Sequence, residues 1–145
     1  MTIAGDHLTR SPLETVALAG RLARLLKPGD AVGLVGELGA GKTEFVRGIV
    51  AALGTPSEVS SPSFVRLHSY GGEPPLHHAD FYLAKSEDDA ADYGLDELLA
   101  NGAIVLVEWA DRFPHLLPED AWWVWIEWPG QALEVRSIRI AHGNS

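Results

Sequence analysis

The sequence predicts an α/β domain in which helices flank a mixed parallel and antiparallel sheet. Three observations carry that expectation. The apolar run at 31–35 leads through a glycine-rich segment into a helically periodic stretch at 42–53. A second buried run at 103–107 lies far downstream, which implies parallel pairing of at least some strands. Two turn-bounded strand pairs, around Gly71-Gly72-Glu73-Pro74-Pro75 and Pro129-Gly130, add antiparallel hairpins.

Each element has a local reason. Residues 1–10 read as a lead-in or an edge strand. Ser11-Pro12-Leu13-Glu14 then starts a helix: Ser11 caps, Pro12 fits the first turn, and Glu14 can return the capping-box bond. Val16, Leu18, Leu22, Leu25 and Leu26 give it an apolar face, up to a stop at Lys27-Pro28-Gly29. In the helix at 42–53 the face is Phe45, Ile49, Val50 and Leu53, ending at Gly54. Strands are expected at 64–70 and 76–83. Glu87, Asp88, Asp89 and Asp92 mark 86–92 as a solvated helix start or loop, and 94–100 as the next short helix. The second hairpin pairs 122–128 with 133–140. No repeat, low-complexity tract or long linker interrupts the chain, so residues 1–145 are expected to form one domain.

Composition excludes several function classes. With 145 residues and 46% apolar content, the chain can bury a core and is too apolar to be disordered. The absence of Cys removes disulfides and thiolate metal sites. A formal charge of −9 makes it a poor binder of bare nucleic acid. No apolar stretch reaches the roughly twenty residues of a membrane span, and Met1-Thr2-Ile3-Ala4-Gly5-Asp6 lacks signal-peptide character. A soluble cytoplasmic domain is the expectation.

The strongest motif is Gly36-Glu37-Leu38-Gly39-Ala40-Gly41-Lys42-Thr43, which fits G-x-x-x-x-G-K-[ST]. It follows a buried strand and opens a helix, as phosphate binding requires. Glycines let the backbone approach phosphates and turn N–H groups inward, and the helix N-terminus adds positive field. Lys42 reaches the β- and γ-phosphates, and the Thr43 hydroxyl suits Mg²⁺. Nucleotide binding is therefore the function this loop predicts. The metal also needs a carboxylate at the end of a neighbouring apolar strand, and Glu108 stands there after 103–107, the alternative being an ordinary strand-end carboxylate in solvent. Trp109 either lines the site or covers the strand end. His78 and Asp80 share one strand face. Asp80 suits a metal-associated or water-orienting role, while His78 is equally a hydrogen-bonded polar group beside the core. Ser60-Ser61-Pro62-Ser63-Phe64 is either a γ-phosphate sensor or a turn.

Taken with Ser61-Pro62-Ser63-Phe64, His78-Ala79-Asp80-Phe81-Tyr82 and Glu108-Trp109, the phosphate loop resembles the bacterial TsaE (YjeE) family of tRNA threonylcarbamoyladenosine biosynthesis ATPases. The likeness runs from the first helix to Arg136 and the closing strand. It implies a small phosphate-loop (P-loop) NTPase fold, ATP hydrolysis with Mg²⁺ held through Thr43 and Glu108, and functional roles for Ser63, Asp80 and Trp109; on this reading Lys42, Asp80 and Glu108 are the catalytic residues. It also implies TsaB- and TsaD-type partners. With them the ATPase would support threonylcarbamoyl transfer to adenosine 37 of tRNAs reading ANN codons, the tRNA contact running through the complex. The chain departs from the family pattern at Leu83, where Arg is usual, at Glu44, where a second Thr is frequent, and at Ala110-Asp111, in place of Pro-Glu.

Other readings stand beside this one. A small-molecule kinase would share the loop, but the chain leaves little room for an acceptor domain. A nucleotide-dependent interaction module would bind without turnover. A GTPase is disfavoured because no Asn/Thr-Lys-x-Asp segment follows. In the Trp-rich strand, Trp122, Val124, Ile126 and Trp128 share one face and Trp123, Trp125 and Glu127 the other, so one is core and the second is either core or a partner surface. Arg21, Arg24 and Lys27 form a solvated helix face or a minor tRNA contact.

Overall fold

The computed structural model describes residues 3–37, 40–53, 67–130 and 132–143. In chain order its elements are β1 (Gly5–Thr9), α1 (Pro12–Ala23), β2 (Ala31–Val35), α2 (Lys42–Ala52), β3 (Leu67–Gly71), β4 (Leu76–Asp80), α3 (Glu87–Ala91), α4 (Leu95–Ala100), β5 (Ile104–Glu108), β6 (Trp122–Glu127) and β7 (Arg136–His142). Two short 3-10 turns, Ala110–Arg112 and Pro114–Leu116, bridge β5 to β6.

The strands form one seven-stranded sheet in the order β1-β7-β6-β2-β5-β4-β3. Its middle is parallel: β2 pairs with β5 and β6, and β4 with β5. Its margins are antiparallel, through β1–β7, β6–β7 and β3–β4. The sheet is mixed, and residues 5–9 are an edge strand. This placement sets the C-terminal ends of β2, β4 and β5 side by side, where ligands bind in open α/β sheets.

Helices cover both faces. Val32 and Leu34 join Leu18, Leu22, Phe45 and Ile49 in one core, while Ala31, Val105 and Val107 pack with Phe81, Leu95 and Leu117 on the other. That split is the period-two alternation of strands buried on both sides. The two long helices approach closely at Gly48. A Cβ there would stand 2.5 Å from the Val16 carbonyl oxygen and 2.7 Å from the Ala19 Cβ.

Several boundaries differ from the sequence expectation, each for a local reason. Helix α1 stops at Ala23 because Leu25 and Leu26 donate to Leu22 and Ala23, three residues back, tightening the last turn. Ser11 caps it, accepting from Glu14 N at 3.1 Å, but Glu14 returns its bond to Arg10 N at 2.9 Å, one residue short of the capping-box position. Strand β4 ends at Asp80, not at residue 83, because the Asp80 carboxylate accepts from Tyr82 N and turns the chain away. Strand β7 starts only at Arg136, after Val135 N turns back onto Ala132 O. Residues 87–91 are helical, capped by Ser86. Of the expected strand at 64–70, residues 64–66 lie outside the described residues. Among the described residues, no helix is long and apolar enough to cross a membrane.

Candidate nucleotide site

The loop between β2 and α2 is built around backbone proximity. At Gly36 a Cβ would lie 2.6 Å from the Ile126 carbonyl oxygen, a backbone atom that no rotamer change moves. Gly41 sits at φ 107° and caps α2, a conformation that side-chain-bearing residues rarely adopt. Ala40 N closes a turn onto Glu37 O, and Phe45 N takes Gly41 O as the first helical bond. Leu38 and Gly39 lie outside the described residues, as does Ser63.

Lys42 opens α2 and is buried. Its Nζ lies 3.9 Å from Glu108 Oε1 and 4.1 Å from the centre of the Trp109 ring, with no hydrogen-bond partner among the described residues. Burial pushes its pKa below the ordinary 10.5, against the pull of Glu108, Asp80 and Asp111. Thr43 follows it, half-buried.

The parallel register sets Asp80 opposite Glu108, so two carboxylates end adjacent strands. Both are buried. Glu108 Oε2 is 2.8 Å from His78 Nε2. Asp80 accepts from Tyr82 N at 2.8 Å. Burial raises the Asp80 pKa above 3.8 and the Glu108 charge adds to this, while the Tyr82 N–H, Lys42 and His78 lower it. Trp109 follows Glu108 at φ 58°, the one non-glycine residue with positive φ among the described residues. Its ring carries Lys42 on its face and meets Tyr82 at 4.9 Å.

This constellation of loop, lysine, paired carboxylates and tryptophan has relatives. Residues 9–140 match the family model described as "Threonylcarbamoyl adenosine biosynthesis protein TsaE". The chain belongs to the TsaE family. It is similar to the tRNA threonylcarbamoyladenosine biosynthesis protein TsaE of Bacillus subtilis strain 168, 42% identical over 113 residues, covering 77% of this chain and 70% of that protein. The Streptomyces coelicolor protein of the same name is 48% identical over 107 residues, covering 71% and 72%. In three dimensions the chain resembles the crystal structure of B. subtilis YdiB, with TM-score 0.76 and 35% identity, covering 96% of this chain and 86% of that one.

Two arginines that sequence reasoning passed over brace this TsaE site. Arg112 Nη1 donates to the carbonyls of Phe81, Tyr82 and Ala84 at 2.7, 2.8 and 2.8 Å, holding the turn that follows Asp80. Arg136 Nε donates to Ala40 O at 2.7 Å, supporting the loop from β7. Neither has a motif, because each acts on main-chain carbonyls that only the fold brings near. Leu83 is exposed, as are Arg21 on α1 and Arg24 and Lys27 beyond its end.

The Trp-rich strand divides as alternation requires. Trp122, Val124 and Ile126 enter the core under α1 and α2, and Trp123 packs against the opposite core. Trp128 does not continue the core face: it lies beyond the end of β6 and is 53% exposed. With Trp109, Trp125 and the loop residues Gly36, Glu37 and Ala40, it lines an open cleft of about 550 Å³.

Proposed function

We propose that this TsaE-family chain is a Mg²⁺-dependent ATPase that supports threonylcarbamoyl transfer to adenosine 37 of tRNA, acting in the cytoplasm with TsaB- and TsaD-type partners. The observation that carries this reading is the Lys42 ammonium. It is buried at a helix N-terminus, beside a loop whose glycines allow close backbone approach, and has no hydrogen-bond partner among the described residues. The Glu108 carboxylate, 3.9 Å away, offers it charge but no hydrogen bond; buried ammonium donors are costly without acceptors, and polyphosphate oxygens supply them.

The donor set also fits a divalent cation. A hydroxyl at Thr43 and a buried carboxylate at Glu108 are the hard oxygen donors Mg²⁺ takes when phosphates complete its shell. Thr43 and Glu108 would hold it. The chemistry it supplies when bound is charge neutralisation on the β- and γ-phosphate oxygens.

The chain's own residues divide the remaining work. Lys42 and the N–H groups of the loop stabilise phosphate charge, more strongly in a buried site than in water. Asp80, whose raised pKa makes it more basic than an ordinary carboxylate, accepts a hydrogen bond from water and orients it, with Ser63 as the γ-phosphate contact. Trp109 shields the Lys42 side of the site.

The direct test is phosphate release from ATP with and without TsaB- and TsaD-type proteins and tRNA. Weak release alone, increased by the partners and abolished in Glu108→Ala with nucleotide binding retained, is expected. No release from either ATP or GTP, with or without partners, overturns the enzymatic reading.

A further inference from the structure

Building on the nucleotide reading above, we propose that His78 is a positioning residue for the Glu108 carboxylate, and that its hydrogen bond sets how tightly the site holds a divalent cation. His78 is 1% exposed and lies on β4, two residues before Asp80. Register places it opposite Leu106, so its ring reaches diagonally across the β4–β5 pair to Glu108. The Nε2···Oε2 distance is 2.8 Å, and since a carboxylate accepts, the Nε2–H donates.

A glutamate has three side-chain torsions, so a carboxylate at a strand end is not held by its backbone alone. Lys42 Nζ, at 3.9 Å from Oε1, is beyond hydrogen-bond distance and leaves the group able to rotate. His78 removes that freedom by fixing Oε2. Oε1 is thereby kept on the side where Lys42 begins α2, and Glu108 cannot swing both oxygens onto the ammonium. Groups that orient a metal-binding side chain typically govern metal affinity by about 10- to 100-fold. Merely filling space between β4 and β5 would govern stability instead, and the two roles separate in experiment.

The experiment titrates ADP calorimetrically into the full chain, in EDTA and across a Mg²⁺ series, for wild type, His78→Leu and His78→Gln. The expected result for His78→Leu is a Mg²⁺ requirement raised about 10- to 100-fold, with ADP affinity in EDTA unchanged within about twofold. His78→Gln, which keeps an N–H donor, is expected to recover part of the difference. A His78→Leu protein with the wild-type Mg²⁺ requirement overturns the proposal. Should that variant not fold, His78→Asn, whose shorter side chain stays polar but does not reach Glu108, decides by the same titration: a raised Mg²⁺ requirement supports the role, and a wild-type requirement overturns it. Wild type that binds no ADP in either condition overturns the nucleotide reading itself.

Discussion

The Lys42 ammonium rests 4.1 Å from the centre of the Trp109 ring, a cation–π contact between the first residue of α2 and the residue after β5. Such a contact contributes about 0.5–2 kcal/mol, less than the sum of several charge-assisted bonds to phosphate at about 1.5–3 kcal/mol each. A phosphate in the loop should therefore draw the ammonium off the ring. Trp109 reports this directly: adding ADP with Mg²⁺ is expected to change the tryptophan emission of the wild type, and Trp109→Phe is expected to lose most of that change. An equal change in both proteins would place the reporter elsewhere, at Trp125 or Trp128.

Two glycines should respond differently to the same added methyl group. At Gly36 the obstacle is the Ile126 carbonyl oxygen, 2.6 Å from the Cβ position, so Gly36→Ala shifts the loop itself. A displacement near one ångström costs up to about 100-fold in a positioned site, and ADP affinity should fall accordingly. At Gly48 the obstacle is α1, and Gly48→Ala should leave the loop in place but push the helices apart. Overpacking costs about 1–3 kcal/mol against a helix-propensity gain of about 1 kcal/mol. A net loss in urea denaturation, with ADP binding by the folded protein retained, is the outcome expected; a stabilised Gly48→Ala would show that the helices separate freely.

Asp80 gives a pH dependence of stability. Its folded-state pKa lies above 3.8, chiefly through burial, so the folded chain binds this proton more tightly than the unfolded one. The stability that follows is fully present below the unfolded value and is lost as pH rises through the folded-state value. Asp80→Asn cannot ionise and keeps an oxygen for Tyr82 N–H. Its thermal midpoint should exceed that of wild type near neutral pH, with the gap narrowing as pH falls toward about 4. A gap that stays constant over that range would exclude Asp80 as its source.

Much of this arrangement could be read from the sequence, and the limits were physical. Ala31–Val35 and the start of α2 at Lys42 follow from local signals: an apolar run, glycines, then helical periodicity. Glu108 was identifiable because it ends an uninterrupted apolar strand. The bond from His78 to Glu108 was not, since it depends on the parallel register of two strands 30 residues apart. Arg112 and Arg136 escaped for a related reason: a side chain that binds main-chain carbonyls leaves no pattern in residue types. The early end of β4 turned on a single side-chain bond, Tyr82 N to Asp80, competing with the strand ladder.

The buried ammonium of Lys42 is the centre of the functional reading, and one binding measurement tests it. ADP titrated into wild type and Lys42→Ala, each with Mg²⁺, should give saturable binding to the first. The second should bind at least about 30-fold more weakly, as loss of a buried charge-assisted phosphate contact requires. Its circular dichroism spectrum should be unchanged. Equal affinities in the two proteins, or no binding to wild type, would contradict the assignment of this loop as a nucleotide site.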